Sequence, residues 1–290
     1  MLAIQPFAGL TEWSPQTFRH LGAYATSAAG GSQRIAWRGC TFEDVSAGSH
    51  MLGDITNAVL NATGTSRPLA NDPPSLGWES ITRWLFADPA EWDRDLLVED
   101  CTVANIPVEY TGATGLFAGY VSGLTVQHNL FANQSYSAMT IGWGWGRTGS
   151  GRGNNTIRAN RIERPTTVRC CDGGGIYTLG PQPASHITAN YLVDRSPPLG
   201  SSNCIYHDNG SGGWTDTENL CEGHWNDLAI NGKLGDFGPC GTCPSFEPGI
   251  PGDCSIHVTK NWFQTYESKP HRGGGCNQVR PTLQFDVQKA

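Results

Sequence analysis

The stretch from residue 154 to residue 211 contains two nearly matching passages, and these decide the fold. Residues 155–160 read NTIRAN, and 30 positions later residues 185–190 read SHITAN. An Ile-Tyr pair follows each passage, in DGGGIYTLG at 172–180 and in CIYHDNG at 204–210, and the two pairs lie 29 residues apart. A period near thirty with short β-type runs is typical of a stacked repeat.

Each repeat has the same order of residues. An alternating run ends in Cys or Asn, two apolar residues follow, and a turn leads to a second short apolar run. The anchor residues are Cys40, Cys101, Asn129, Asn160, Asn190, Asn219 and Asn261. Alternation places one face inward and one outward. An Asn at the same turn of every coil tolerates the left-handed conformation and can stack its amide on the next Asn, which satisfies buried backbone groups. We therefore expect the Asn residues to be structural.

Stacked units of this kind predict an all-β parallel β-helix, a solenoid in which each rung buries its apolar residues against the next. We expect one such domain over 1–290, with an incomplete first coil that is typical of a chain truncated at the N-terminus, and with loop inserts at 57–95 and 222–253. The first insert is expected to contain a short helix at 78–86. Long inserts in repeat proteins commonly build the binding face. The alternative, two sandwich domains, would need strands every 8–12 residues joined by hairpins.

Composition excludes several classes of function. The formal net charge is −7 and only 16% of residues are charged, so a nucleic-acid partner is not expected, because phosphate binding needs a clustered basic surface. The sequence contains no apolar run of eighteen residues, so no transmembrane helix is predicted. The 37 Gly and 18 Pro residues favour many short strands joined by turns.

The ten cysteines favour an exported protein with disulfides over a zinc protein. Cys240 and Cys243 form a C-x-x-C pair, but no second pair completes a zinc site, and we expect no metal or other cofactor. Cys40 and Cys101 lie in apolar runs and are expected to be buried free thiols. The disulfide pairing is left open. Residues 1–6 lack the basic start and the apolar stretch of a secretory signal, so that export is inferred from the cysteines.

Aromatic residues between glycines form the first candidate site. Trp143 and Trp145 alternate with glycines over 142–146, and glycines supply little packing for a buried indole ring. We expect these rings to line a cleft and stack on sugars, because an aromatic face suits the apolar C–H face of a sugar. Burial in the core is the alternative.

Two aspartates form the second candidate site. Asp172 and Asp208 precede and follow the Ile-Tyr motifs of neighbouring coils. A carboxylate pair is what acetal cleavage needs, and coils about 4.8 Å apart can bring equivalent positions to the retaining separation of roughly 5–5.5 Å. On straight strands the two would lie roughly 20 Å apart, so the pair requires a bend at 173–175. The alternative is a turn-capping role for Asp172 and an Asx-turn role for Asp208.

Four further residues are candidates for substrate binding. Glu109 is expected to precede an outward turn on the same side as the Trp-containing loop, with Tyr110 beside it; a solvated Glu is the alternative. Tyr177 belongs to the DGGGIY motif, and His207 stands next to Asp208. A histidine in this position serves either the cleft or a hydrogen-bonding ladder.

These passages together resemble the right-handed parallel β-helix proteins related to glycoside hydrolase family 141. The matching segments are VEY at 108–110, QHN at 127–129, YSAMTIGWGWG at 136–146, DGGGIYTLG at 172–180 and IYHDNGS at 205–211. The resemblance covers about residues 5–225 and implies an extracellular glycan-cleaving enzyme with surface carboxylates, for which Asp172 and Asp208 hold the motif positions. Such proteins are usually much longer, and the Cys-rich segment 220–276 is not part of their pattern.

Three functions compete on the sequence. The first is a glycoside hydrolase that uses Asp172 and Asp208 on a carbohydrate substrate. The second is a polysaccharide lyase, which needs a basic residue to abstract the proton α to a uronate carboxyl. Lysine occurs only at 233, 260, 269 and 289, outside the central coils, and this disfavours the lyase. The third is a non-catalytic carbohydrate-binding β-helix.

Overall fold

The described part of the chain is built entirely from β-strands. The computed structural model describes residues 2–4, 11–53, 93–143, 153–167, 173–194, 202–208, 211–223, 226–230 and 256–264. Within these ranges there is no α-helix, and therefore none long and apolar enough to cross a membrane. The helix expected at 78–86 lies outside the described residues, as does most of each insert. Strand β8 already begins at Asp93, and strand β23 occupies Asn226–Ile230.

Three sheets contain all the strands, and every strand pairing within them is parallel. Sheet A is formed by β1 (Leu2–Ile4), β4 (Thr26–Ala28), β7 (His50–Leu52), β10 (Leu116–Ala118), β14 (Met139–Ile141), β17 (Gly173–Thr178), β20 (Ser202–His207) and β23 (Asn226–Ile230). Sheet B is formed by β2 (Thr11–Trp13), β5 (Gln33–Arg38), β8 (Asp93–Glu99), β12 (Thr125–Gln127), β15 (Thr156–Arg158), β18 (Pro181–Thr188), β21 (Gly212–Thr217) and β24 (His257–Thr259), with β11 (Val121–Ser122) also beside β8. Sheet C is formed by β3 (Thr17–Leu21), β6 (Thr41–Val45), β9 (Thr102–Ala104), β13 (Leu130–Ala132), β16 (Arg161–Glu163), β19 (Tyr191–Val193), β22 (Leu220–Glu222) and β25 (Trp262–Gln264).

The chain visits sheets A, B and C in turn, so that each circuit adds one strand to each sheet. This arrangement is consistent with the predicted β-helix solenoid. Sandwich domains joined by hairpins would show antiparallel pairs, and the described strands form none.

The core lies between the three sheets and is built from columns of inward side chains. In sheet B, Trp37, Val98, Val126, Ile157 and Ile187 are paired in register, and all are fully buried. Because each residue contacts its equivalents in the coils above and below, the thirty-residue period of the sequence becomes a continuous apolar interior.

The Asn residues form the predicted ladder, at the turn from sheet B to sheet C. The Oδ1 atom of Asn160 accepts hydrogen bonds from the backbone N–H and the Nδ2 of Asn129, at 3.0 and 2.9 Å. Asn190 does the same for Asn160, at 3.0 Å each. The left-handed conformation belongs to the residue before each Asn, such as Ala159 with φ 52° and Ala189 with φ 55°. The turn there directs the amide inward, where it satisfies buried backbone groups.

The described cysteines include both buried free thiols and a disulfide, the two states that the sequence suggested. Cys40 and Cys101 are buried free thiols, as predicted, and they take the place of Asn in the ladder. Burial raises the pKa of the Cys101 thiol to about 12, which keeps it protonated and unreactive. Cys204 and Cys221 form a disulfide that joins β20 of sheet A to β22 of sheet C.

Candidate functional site

The outer side of sheet A carries a group of aromatic side chains at neighbouring coils. Along β17 and β20, Ile176 and Ile205 belong to the main core, whereas Tyr177 and Tyr206 pair in register and pack in a separate cluster with Leu179. This difference follows from the alternation of side chains along a strand. We call the outward group the aromatic face; its members are Phe117, Tyr136, Trp143, Tyr177 and Tyr206.

The aromatic face is held together by ring contacts between coils. The rings of Tyr177 and Tyr206 meet edge to face with centroids 5.1 Å apart, and Trp143 meets Phe117 in the same way at 5.7 Å. Tyr136 approaches Tyr177 at 6.3 Å. Trp143 is half-buried against the Tyr177 cluster, so it is neither a core residue nor a free surface ring. Trp145 lies outside the described residues.

The glycines of the DGGG motif allow other segments to approach β17 closely. A Cβ atom on Gly173 would lie 2.6 Å from the backbone oxygen of Tyr136, and one on Gly175 would lie 2.5 Å from Cδ2 of Leu192. Both distances are too short for real atoms, so a larger residue would displace the Tyr136 segment or Leu192. Gly173 therefore allows the Tyr136 segment of the aromatic face to lie against β17, whereas Gly175 allows close packing in the core.

Asp208 follows β20 and is the carboxylate of this face. It is 3% exposed, and its Oδ2 accepts a hydrogen bond from the hydroxyl of Tyr177. Its backbone N–H donates to the oxygen of Thr178 at 3.0 Å, and its own carbonyl accepts from the N–H of Ser211 at 2.9 Å. The carboxylate is thus buried and bonded beside aromatic rings that are themselves buried, with Tyr177 5% and Tyr206 2% exposed.

The predicted partner of Asp208, Asp172, lies outside the described residues, next to the first residue of β17. Strand β17 pairs with β20 in a constant register from Gly173 opposite Ser202 to Thr178 opposite His207, except that Gly175 and Cys204 do not pair. The interruption falls inside the 173–175 segment, where the sequence requires a bend, but the register is the same on both sides of it. Gly173 and Asp208 stand at opposite ends of this pairing, roughly 20 Å apart along extended strands. The carboxylate pair stays a prediction, and this separation is long for either glycosidase geometry, with roughly 5–5.5 or 6.5–9.5 Å between carboxylates.

His207 lies inside the solenoid, on the opposite side of β20 from Tyr206. It is fully buried, and its Nδ1 and Nε2 atoms lie 2.8 Å from Oγ1 of Thr178 and 2.8 Å from Oδ2 of Asp216. A direct substrate contact by His207 stays a prediction, and it would require the interior to open. Asp216 was not among the sequence candidates. The available signal was TDTEN at 215–219, which places Asp where TIRAN and HITAN have Ile.

Glu109 and Tyr110 lie on an exposed turn between sheets C and A. Their N–H groups donate to the oxygen of Ser46 at 3.1 and 2.9 Å, and Tyr110 is 58% exposed. This turn precedes β10, whereas Trp143 follows β14. In a parallel sheet the two segments therefore lie at opposite ends of the strands of sheet A, and not on the same side as expected. Glu109 precedes β10, and Asp208 follows β20, which is three coils further along the axis, or about 14 Å. The structure does not bring these residues to Asp208.

No group of three His, Cys, Asp or Glu residues within the described ranges is arranged to hold a metal ion. The described residues define an all-β class of protein with stacked parallel sheets, in which a buried carboxylate lies beside aromatic rings. A solved structure described as "Glycoside hydrolase" shares this fold with a TM-score of 0.58 and 23% sequence identity, over 87% of this chain. The chain spans 37% of the length of that structure. The chain matches no family model and no curated protein.

Proposed function

We propose that this chain is a right-handed parallel β-helix that acts as an extracellular glycoside hydrolase on a poly- or oligosaccharide. The observation that carries the proposal is Asp208, a buried carboxylate bonded by Tyr177 at the edge of the aromatic face. Acetal cleavage needs a carboxylate fixed beside a sugar ring, and aromatic faces suit the C–H faces of sugars. The fold shared with a structure described as a glycoside hydrolase supports the proposal. The Cys204–Cys221 disulfide supports export, since disulfides persist in oxidising compartments.

In this proposal Asp208 is the nucleophile or base. A carboxylate that accepts the Tyr177 hydroxyl keeps one orientation, which an attacking carboxylate or a base needs. Asp172 is the proposed second carboxylate, which protonates the leaving oxygen. Trp143 and Trp145 are proposed as platforms for sugar rings, and Glu109 with Tyr110 would contact only a more distant part of a long chain.

Substitution of Asp208 tests the hydrolase directly. We expect Asp208→Asn to lower kcat by about 10²–10⁴-fold on whichever substrate a panel of chromogenic glycosides and polysaccharides identifies, because the amide neither attacks nor accepts a proton. Asp44→Asn is the matched control: this exposed aspartate lies in sheet C, far from the aromatic face, and should leave kcat unchanged. Equal turnover by Asp208→Asn and wild type would refute the proposal.

A non-catalytic carbohydrate-binding role is the second candidate, and the roughly 20 Å between Gly173 and Asp208 favours it. Under this role, glycans bind without turnover and Asp208→Asn changes nothing but affinity. Trp143→Ala is expected to weaken binding about fivefold under either role, since an aromatic contact is worth about 1 kcal/mol. Isothermal titration with the same glycan panel, next to product analysis, separates the two. A product with the absorbance of an unsaturated uronate would indicate a lyase.

A further inference from the structure

A chain of four polar side chains lies inside the solenoid, directly beneath Asp208. These are Thr178, His207, Ser211 and Asp216, none of them more than 1% exposed. Asp216 stands in register with Ile187 of the preceding coil and Val258 of the next, so it interrupts an apolar column. Burial of a carboxyl group is costly unless hydrogen bonds compensate it. A buried acid at an otherwise apolar position therefore requires a specific reason.

Counting hydrogens fixes the direction of these bonds. The Ser211 hydroxyl donates to the backbone oxygen of Thr178 at 2.8 Å, so its Oγ must accept at 2.9 Å from the hydroxyl of Thr178. The only hydroxyl hydrogen of Thr178 is then used, and its Oγ1 must accept from Nδ1 of His207 at 2.8 Å. Nδ1 of His207 therefore carries a proton.

The other ring nitrogen shares a proton with Asp216. Nε2 of His207 lies 2.8 Å from Oδ2 of Asp216, so this contact contains one proton, on either the imidazole or the carboxyl group. In both cases the pair has no net charge, which suits a fully buried site. Asp216 is itself anchored, because its backbone oxygen accepts from Nδ2 of Asn261 in the ladder at 2.9 Å.

The chain of bonds ends at the peptide groups of Asp208. The backbone oxygen of Thr178, which accepts the Ser211 hydroxyl, also accepts the N–H of Asp208 at 3.0 Å. The N–H of Ser211 in turn donates to the carbonyl of Asp208 at 2.9 Å. Both sides of Asp208 are thus bonded to residues of the interior network, while Tyr177 bonds its carboxylate from outside.

We infer that Asp216 and His207 are positioning residues for Asp208. They fix the backbone groups of Asp208 and Ser211 from the interior, and they touch no substrate. An apolar pair would fill the same interior, as Ile141 and Ile187 do in the corresponding columns, and would avoid the desolvation of a buried acid. The polar chain adds orientation that apolar packing lacks. Each hydrogen bond fixes the rotamer of the next side chain, as far as the backbone of Asp208. The catalytic meaning of this inference rests on the proposed hydrolase.

Two variants separate positioning from stability. Asp216→Asn alters the proton shared with Nε2, disturbs the tautomer of His207 and should lower kcat tenfold or more with KM within twofold. The double variant His207→Ile with Asp216→Ile removes both polar partners and leaves neither unpaired, so its unfolding midpoint should equal or exceed that of wild type. Its kcat should nevertheless fall tenfold or more. A double variant that keeps wild-type kcat would overturn the inference.

A readout that does not depend on turnover keeps the test independent of the proposed activity. Hydrogen exchange at the Asp208 and Ser211 amides should become at least tenfold faster in Asp216→Asn, while amides of β5 and β6 keep their rates. Unchanged exchange at Asp208 would reject the positioning role even for an active enzyme. If Asp208→Asn retains full turnover but exchange responds as expected, the hydrolase proposal fails and the interior network still positions Asp208.

Discussion

At the scale of the residue, His50 shows how the interior changes a side chain. Its ring lies between Trp37 and Phe42, with centroids at 4.7 and 4.6 Å, and burial lowers its pKa from 6.5 to about 3. The unfolded state therefore binds a proton below about pH 6.5 that the folded state binds only below about pH 3. The free energy of unfolding should fall as the pH drops through this window, by up to about 1.4 kcal/mol per pH unit from this residue. Chemical denaturation between pH 5 and 7 measures the slope.

Two variants identify the source of that slope. His50→Phe keeps an aromatic ring between Trp37 and Phe42 but cannot bind a proton. It should lower the slope of the unfolding free energy against pH by up to about 1.4 kcal/mol per pH unit, the contribution of one proton. Ser49→Ala removes the hydroxyl 2.7 Å from Nδ1 and keeps the imidazole, so the slope should remain. An identical pH dependence in wild type and His50→Phe would show that His50 does not cause the effect.

At the scale of the element, the Asn ladder is a set of shared hydrogen bonds. Asn160 accepts from the N–H and Nδ2 of Asn129, and its own Nδ2 donates to the backbone oxygen of Val126 and to Asn190. Asn160→Ala leaves a buried N–H and a buried carbonyl unpaired, and it should lower the free energy of unfolding by about 3 kcal/mol. Urea denaturation measures this loss.

The chain itself supplies the matched control. Cys101 occupies the same ladder position, where its thiol donates to the oxygen of Trp37 at 3.5 Å and its Sγ accepts the N–H of Cys40 at 3.3 Å. Because a thiol is a weak donor and acceptor, Asn160→Cys should lose less stability than Asn160→Ala. Equal losses in the two variants would mean that a thiol at this position replaces none of the hydrogen bonds of the amide.

The ladder was predictable from sequence because every coil repeats the same local requirement, an amide at one turn. The position of the left-handed residue was not predictable, since Asn is the usual choice for that conformation and the turn instead assigns it to Ala159 and Ala189.

The site was only partly predictable. The choice of Tyr177 and Asp208 as candidates follows from a local motif. The end of the sheet A strands at which Glu109 lies depends instead on the order of all three sheets. Asp216 needed the register with Ile187 before its burial was evident.

At the scale of the whole molecule, each coil contacts only its neighbours, so stability is a sum of local terms. The Cys204–Cys221 disulfide closes a separation of 17 residues and joins sheets A and C at the coil that also contains His207 and Asp216. Loss of such a loop constraint costs about 3 kcal/mol. We expect the double variant Cys204→Ala with Cys221→Ala to speed hydrogen exchange in β19–β22, while β5–β9 keep their rates.

Cys101→Ala should produce the opposite pattern, because it removes ladder bonds between β5 and β9 and leaves the disulfide intact. Each variant should then speed amide hydrogen exchange only within one or two coils of the substituted residues. Mass spectrometry of exchanged peptides from both variants makes the comparison in one experiment. A uniform increase along the whole solenoid in either variant would contradict the nearest-neighbour account. It would mean that the described coils unfold as one cooperative unit, in which the interior around Asp208 is only as stable as the most distant coil.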